Sequence, residues 1–79
     1  MMNWYAEQRQ AWIKEMLRVY GCINRHHICE KFGCSAQAAG KDLTLFQEEN
    51  AGWVQYEPRR RSYINTTYDH PLQMVAAIN

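Results

Sequence analysis

Three consecutive arginines, Arg59-Arg60-Arg61, follow Pro58 in this chain of 79 residues. Each offers a fixed fork of donors and a permanent charge, which suits phosphate oxygens or a narrow minor groove. A second group lies upstream, where Gln37, Lys41 and Thr44 fall on one side of a helix at spacings of four and three. A glutamine can pair with an adenine edge, a lysine with a guanine edge or a phosphate, and a threonine with a thymine methyl or a phosphate. Ala38 and Gly40 share that side, the amides near Ser35 and Ala36 offer an anion site at the helix start, and Arg25 is a further candidate cation.

Other residues invite different chemistry. Cys22, His26, His27, Cys29 and Cys34 are close enough in sequence to suggest zinc, but structural zinc sites use closely paired cysteines with a second matched pair, and no CxxC is present. The expectation is therefore no metal: three small semi-buried cysteines and two histidines at the solvated start of a helix. A Cys-His nucleophile lacks a pocket, an orienting carboxylate and an oxyanion site, so no catalytic residue, enzymatic activity or cofactor is expected. Trp4, Trp12, Trp53 and the five tyrosines could stack on single-stranded bases. Helical and strand spacing instead assigns Trp12 and Tyr63 to the core.

The elements that would position these groups follow from periodicity. Tyr5, Trp12, Ile13, Met16, Leu17 and Tyr20 recur at helical spacing over about residues 3–20, with Glu7, Arg9, Lys14, Glu15 and Arg18 between them. Asn3 is a candidate cap and Gly21 a terminator. Cys22-Ile23 reads as a short extended piece. Asn24 caps a brief helix with Ile28 and Phe32 on one face, and Gly33 and Cys34 turn the chain into a third helix capped by Ser35, with Ala39, Leu43 and Phe46 turned inward. Beyond Gly52 the period changes to that of a β-hairpin over about residues 53–67, its basic tip at Pro58-Arg59-Arg60-Arg61. Pro71 and the stripe Leu72, Val75, Ala76 and Ile78 suggest a short terminal helix over about residues 70–78.

The length admits one domain, residues 1–79, and the composition, 47% hydrophobic and 22% charged, is that of a globular chain. The odd count of three cysteines points to a reducing cytoplasm, and no apolar run is long enough for a membrane span. The net charge of +1 hides a division. Residues 1–41 carry six basic and three acidic side chains, residues 42–57 four acidic and none basic, and residues 58–79 three basic and one acidic. Such blocks suit a two-faced particle with one side for phosphates.

Helix, short strand, helix, tight turn, helix, hairpin is the order of a mainly α winged helix-turn-helix, which sets its third helix in a major groove and its wing on adjacent backbone. Ile23-Asn24-Arg25 with Ile28, Lys31-Phe32-Gly33-Cys34-Ser35, Ala39-Gly40-Lys41-Asp42-Leu43, Val54-Gln55-Tyr56-Glu57-Pro58 and Arg61-Ser62-Tyr63-Ile64 carry a resemblance. The stretch resembles the N-terminal winged helix-turn-helix of bacterial WYL-domain transcriptional regulators and, more loosely, DeoR-type repressors. The resemblance implies a homodimer on double-stranded operator DNA in the cytoplasm. The sequence departs from that pattern at Ala38, Gly40 and Lys41, where the family carries more polar residues and an arginine. Trp4 and Tyr5, with Leu72, Val75 and Ile78, are the candidate dimer surface. Winged helices also serve as protein-docking modules, so a protein partner is the alternative expectation.

Overall fold

The computed structural model describes residues 4–67. The first helix, α1 (Trp4–Tyr20), buries Ile13 and Leu17 completely, one turn apart on a single ridge. Trp12 and Met16 pack beside them, half-buried. Glu7 in the first turn and Arg18 in the last complement the helix dipole. Gly21 ends the helix at φ 83, a left-handed conformation that costs glycine little, and its N–H reaches the Leu17 carbonyl at 3.1 Å.

Strand β1 (Cys22–Ile23) leads to α2 (Arg25–Phe32). Asn24 caps α2 by accepting from the His27 amide at 3.1 Å, while His27 Nδ1 accepts from the Asn24 amide at 3.2 Å. This reciprocal pair is a capping box with histidine in the place usual for Glu or Gln. Gly33 closes α2 at φ 67, Cys34 carries the turn, and Ser35 caps α3 (Ala36–Glu49) by accepting from the Ala38 amide at 3.1 Å.

Asn50 ends α3 and starts the sheet. Its side-chain amide donates to the Phe46 carbonyl at 2.9 Å, and its oxygen accepts from the Trp53 indole at 3.1 Å. Strands β2 (Val54–Glu57) and β3 (Ser62–Asn65) form the wing, and β1 joins the far side of β3, giving an antiparallel sheet ordered β1-β3-β2. Tyr56 lies opposite Tyr63 and Ile23 opposite Tyr63, so the three share a face with Val54; Val54 and Ile23 are buried on it, while Tyr56, near the turn, is exposed. The core between sheet and helices is Ile13, Leu17, Ile23, Ile28, Ala39, Leu43, Phe46 and Val54. Edge-to-face ring pairs flank it, Trp12 on Phe32 and Trp53 on Phe46.

The architecture is the mainly helical winged order expected. Three placements differ. Cys22 is exposed, because period-two alternation in β1 that turns Ile23 inward must turn its neighbour outward. Tyr20 lies at the C-terminal end of α1 and is 64% exposed, beyond the part of the helix that the core covers. Arg9, assigned to the polar face, continues the Ile13–Leu17 ridge one turn back and points at α3. Asn3 and the terminal helix over 70–78 lie outside the described residues.

Candidate nucleic-acid interface

The inward face of α3 is spent on the core, and that commits its opposite face. Gln37, Lys41 and Thr44 are exposed there, with Gly40 half-buried between them. Across an open groove stands the wing. Its turn is tied by the Arg60 amide to the Glu57 carbonyl and the Arg61 amide to the Pro58 carbonyl, both at 3.2 Å. Glu57 Oε1 also accepts from the Arg59 amide at 3.1 Å, so one carboxylate braces the tip. The turn closes with Arg61 at φ 52, a left-handed position where glycine is the residue that costs least.

The groove brings together Arg25, Ala36, Gln37, Gly40, Lys41, Thr44, Arg60 and Arg61 from the sequence-based candidates. It does not include Ser35, Ala38 or Arg59. Ser35 spends its hydroxyl on the Ala38 amide, Ala38 is half-buried, and Arg59 lies exposed at the tip. Thr44 Oγ1 donates to the Gly40 carbonyl at 3.0 Å. Its donor is thereby engaged, and what it can offer a ligand is its methyl group and an acceptor lone pair.

Several groove residues were missing from the sequence-based set: Asn24, His26, Leu43, Leu45, Glu48, Tyr56 and Tyr63. Tyr56 and Tyr63 form a tilted ring pair with centroids 4.9 Å apart, one residue pair below the turn of the wing. Their strand pairing was the available signal, since residues directly opposite in an antiparallel pair share a face. The acidic stretch does not make a separate negative face. Asp42 is buried against Arg9, Glu57 braces the wing, and Glu48 lines the groove itself. Four cationic side chains, Arg25, Lys41, Arg60 and Arg61, still face that one carboxylate, so the groove is positive.

A groove with polar side chains of the third helix on one wall and arginines of the wing on the other suits a winged helix set against a duplex. A protein-family comparison matches residues 6–78 to the BrxR transcriptional regulator winged helix-turn-helix domain. The chain belongs to that family. No curated protein matches it. Membership of the BrxR winged-helix family implies DNA binding in transcription regulation, and the family is not one of enzymes. It agrees with the likeness to regulator winged helices carried by Phe32-Gly33-Cys34-Ser35 and Asp42-Leu43.

The remaining features lie elsewhere. Trp4 and Tyr5 are 63% and 70% exposed and stack edge to face at 5.1 Å; Leu72, Val75 and Ile78 lie outside the described residues. A second, apolar groove is lined by Trp12, Met16, Tyr20, Cys22, His27, Glu30 and Lys31. The Cys34 thiol is pushed up from its ordinary value by burial and then by nearby Cys29. Among the described residues no three His, Cys, Asp or Glu side chains gather to hold a metal. Among them, too, no helix is long and apolar enough to cross a membrane.

Proposed function

We propose that this domain reads operator DNA sequence-specifically, with α3 in the major groove and the wing on the neighbouring backbone or minor groove. The observation that supports it is the groove between α3 and the wing, with Gln37, Lys41 and Thr44 on one wall and Arg60 and Arg61 on the other. A sugar-phosphate ridge running along the groove would meet Arg25, Arg60 and Arg61 while base edges meet Gln37, Lys41 and the Thr44 methyl.

Two local choices support the same reading. Gly40 weakens the middle of a helix by about 1 kcal/mol relative to alanine, although a Cβ there would meet nothing within 4 Å. Arg61 occupies a left-handed turn position that costs a non-glycine residue about 1–2 kcal/mol. Each is the wrong residue for local stability, and both line the groove. A bare backbone at Gly40 leaves room for close approach, and an arginine at position 61 supplies charge where glycine would not.

On this reading the domain serves a cytoplasmic regulator of a bacterium or its phage, akin to the WYL-domain regulators in its 21–64 motifs. It acts as a homodimer paired through the exposed aromatic end of α1. The alternative, a protein-docking module, draws on the second, apolar groove. Fluorescence anisotropy separates the two, using a duplex enriched from a random pool and a scrambled duplex of equal length across a salt series. Three neutralised phosphates, at Arg25, Arg60 and Arg61, give a slope of log K against log salt of about −2.7 per copy. Tighter binding to the enriched duplex with that slope supports the reading. Failure to enrich any duplex, with weak and equal binding, refutes it and turns the search to a protein partner.

A further inference from the structure

The groove makes no use of Asp42, the one charged residue buried among those described, at 7% exposed. Asp42 sits on α3 between Lys41, which faces the groove, and Leu43, which faces the core. Two consecutive residues of α1 hold it. Arg9 Nε donates to Asp42 Oδ2, and Gln10 Nε2 donates to the Asp42 main-chain carbonyl at 2.8 Å. Arg9 is itself largely covered, its side chain 21% exposed, and its hydrogen bond to Asp42 raises its pKa further.

Apart from the Asn50 bonds at its C-terminal end and the edge-to-face contact of Phe46 with Trp53, α3 packs on its neighbours through an apolar surface of Ala39, Leu43 and Phe46. Such a surface stays covered when a helix turns slightly about its axis. Side-chain tips on a helix lie about 5–6 Å from the axis, so a turn of about 20° moves them by about 2 Å. That is well beyond the few tenths of an ångström over which a hydrogen bond to a base edge keeps its geometry. Bonds from α1 to both the carboxylate and the carbonyl of one residue resist that turn and a slide along the axis.

We propose that Arg9, Gln10 and Asp42 form a polar clamp that sets the rotation of α3, and that sequence discrimination by Gln37 and Lys41 depends on it. This rests on the reading of α3 as the base-reading helix. The three are positioning residues, well placed for that role because buried polar groups are best attested as devices of register. The pairing also withdraws a carboxylate charge from beside Lys41.

The test is the double variant R9M/D42L, which replaces the ion pair with apolar side chains that can preserve the fold. Two readouts are taken. Residual dipolar couplings of α3 amides, referred to those of α1, report the helix orientation without DNA; anisotropy reports the affinity ratio of enriched to scrambled duplex. The expected result is a melting temperature at or above that of the parent and an unchanged salt slope. With it come altered α3 couplings and a discrimination ratio at least tenfold lower. A variant that keeps the parental couplings, or turns α3 and still discriminates, overturns the clamp. Should the double variant fail to fold, Gln10→Met removes only the carbonyl bond and must move the same couplings and lower discrimination several-fold, or the clamp is wrong. A parent that discriminates no duplex sinks the DNA reading instead, and the couplings alone then decide the clamp.

Discussion

Replacing Gly40 by alanine separates what the fold wants at that position from what a ligand wants. Gly40 lies in the middle of α3, lines the groove and offers its carbonyl to the Thr44 hydroxyl, a bond that an added methyl leaves intact. An ideal Cβ there meets nothing within 4 Å, so no steric penalty offsets the helix preference. The gain is the glycine-to-alanine difference, about 1 kcal/mol, part of it from the less flexible unfolded chain. In a domain of this size that raises the melting temperature by about 4–8 °C. The same methyl stands between Gln37, Lys41 and Thr44, where a DNA group must approach. Loss of close approach should weaken binding to the enriched duplex about tenfold, or ~1.4 kcal/mol. Circular dichroism melts and anisotropy titrations on one preparation measure both. A stabilised variant that binds as the parent does refutes the close-approach argument, and a destabilised one refutes the open space above Gly40.

Arg61→Gly should likewise stabilise the domain, by up to about 1 kcal/mol in thermal melts, because the left-handed turn suits glycine. It should also flatten the DNA salt slope by about one unit, and an unchanged slope would remove Arg61 from the phosphate contacts. Leu43→Ala, at a site 2% exposed, should cost about 2–5 kcal/mol in urea unfolding, and a loss below that range would contradict its place in the core. In thiol labelling at mildly alkaline pH, exposed Cys22 should react first. Cys34, covered and with its thiol pushed up, should be slow, so equal rates would contradict their placement.

The order of elements was legible because each boundary has its own chemistry. Asn24 and Ser35 are caps whose oxygens do accept early amides, and Gly21 and Gly33 take positive φ where each helix ends. The core positions Ile13, Leu17, Ile28, Ala39, Leu43 and Phe46 follow from helical spacing alone. The groove was legible in part. Gln37, Lys41 and Thr44 follow from the face opposite Leu43, and the wing arginines from the hairpin, but Glu48, His26 and Tyr56 enter only once α2, α3 and the wing converge.

Polar groups that serve the fold were harder to read. Arg9 stands four before Ile13, and Asp42 three after Ala39 and four before Phe46, so both lie on core-facing ridges of opposite charge. That spacing is a signal of burial, set against the general tendency of charged side chains to face solvent. His27 does lie exposed at the start of α2, and what the sequence gives no sign of is that its ring completes the capping box there, a place usual for Glu or Gln. Cys22 was misplaced because a two-residue strand is too short for alternation to appear in the sequence.

The most direct test of the central claim is an amide NMR titration of the protein with the enriched duplex. The account predicts that the largest shifts cluster on Arg25, Gln37, Gly40, Lys41 and Thr44 of the helices and on Arg60 and Arg61 of the wing, and that they shrink as salt rises. Shifts confined to the outer face of α1 and the apolar groove around Trp12, Met16 and Tyr20, with the α3–wing groove silent, would contradict it.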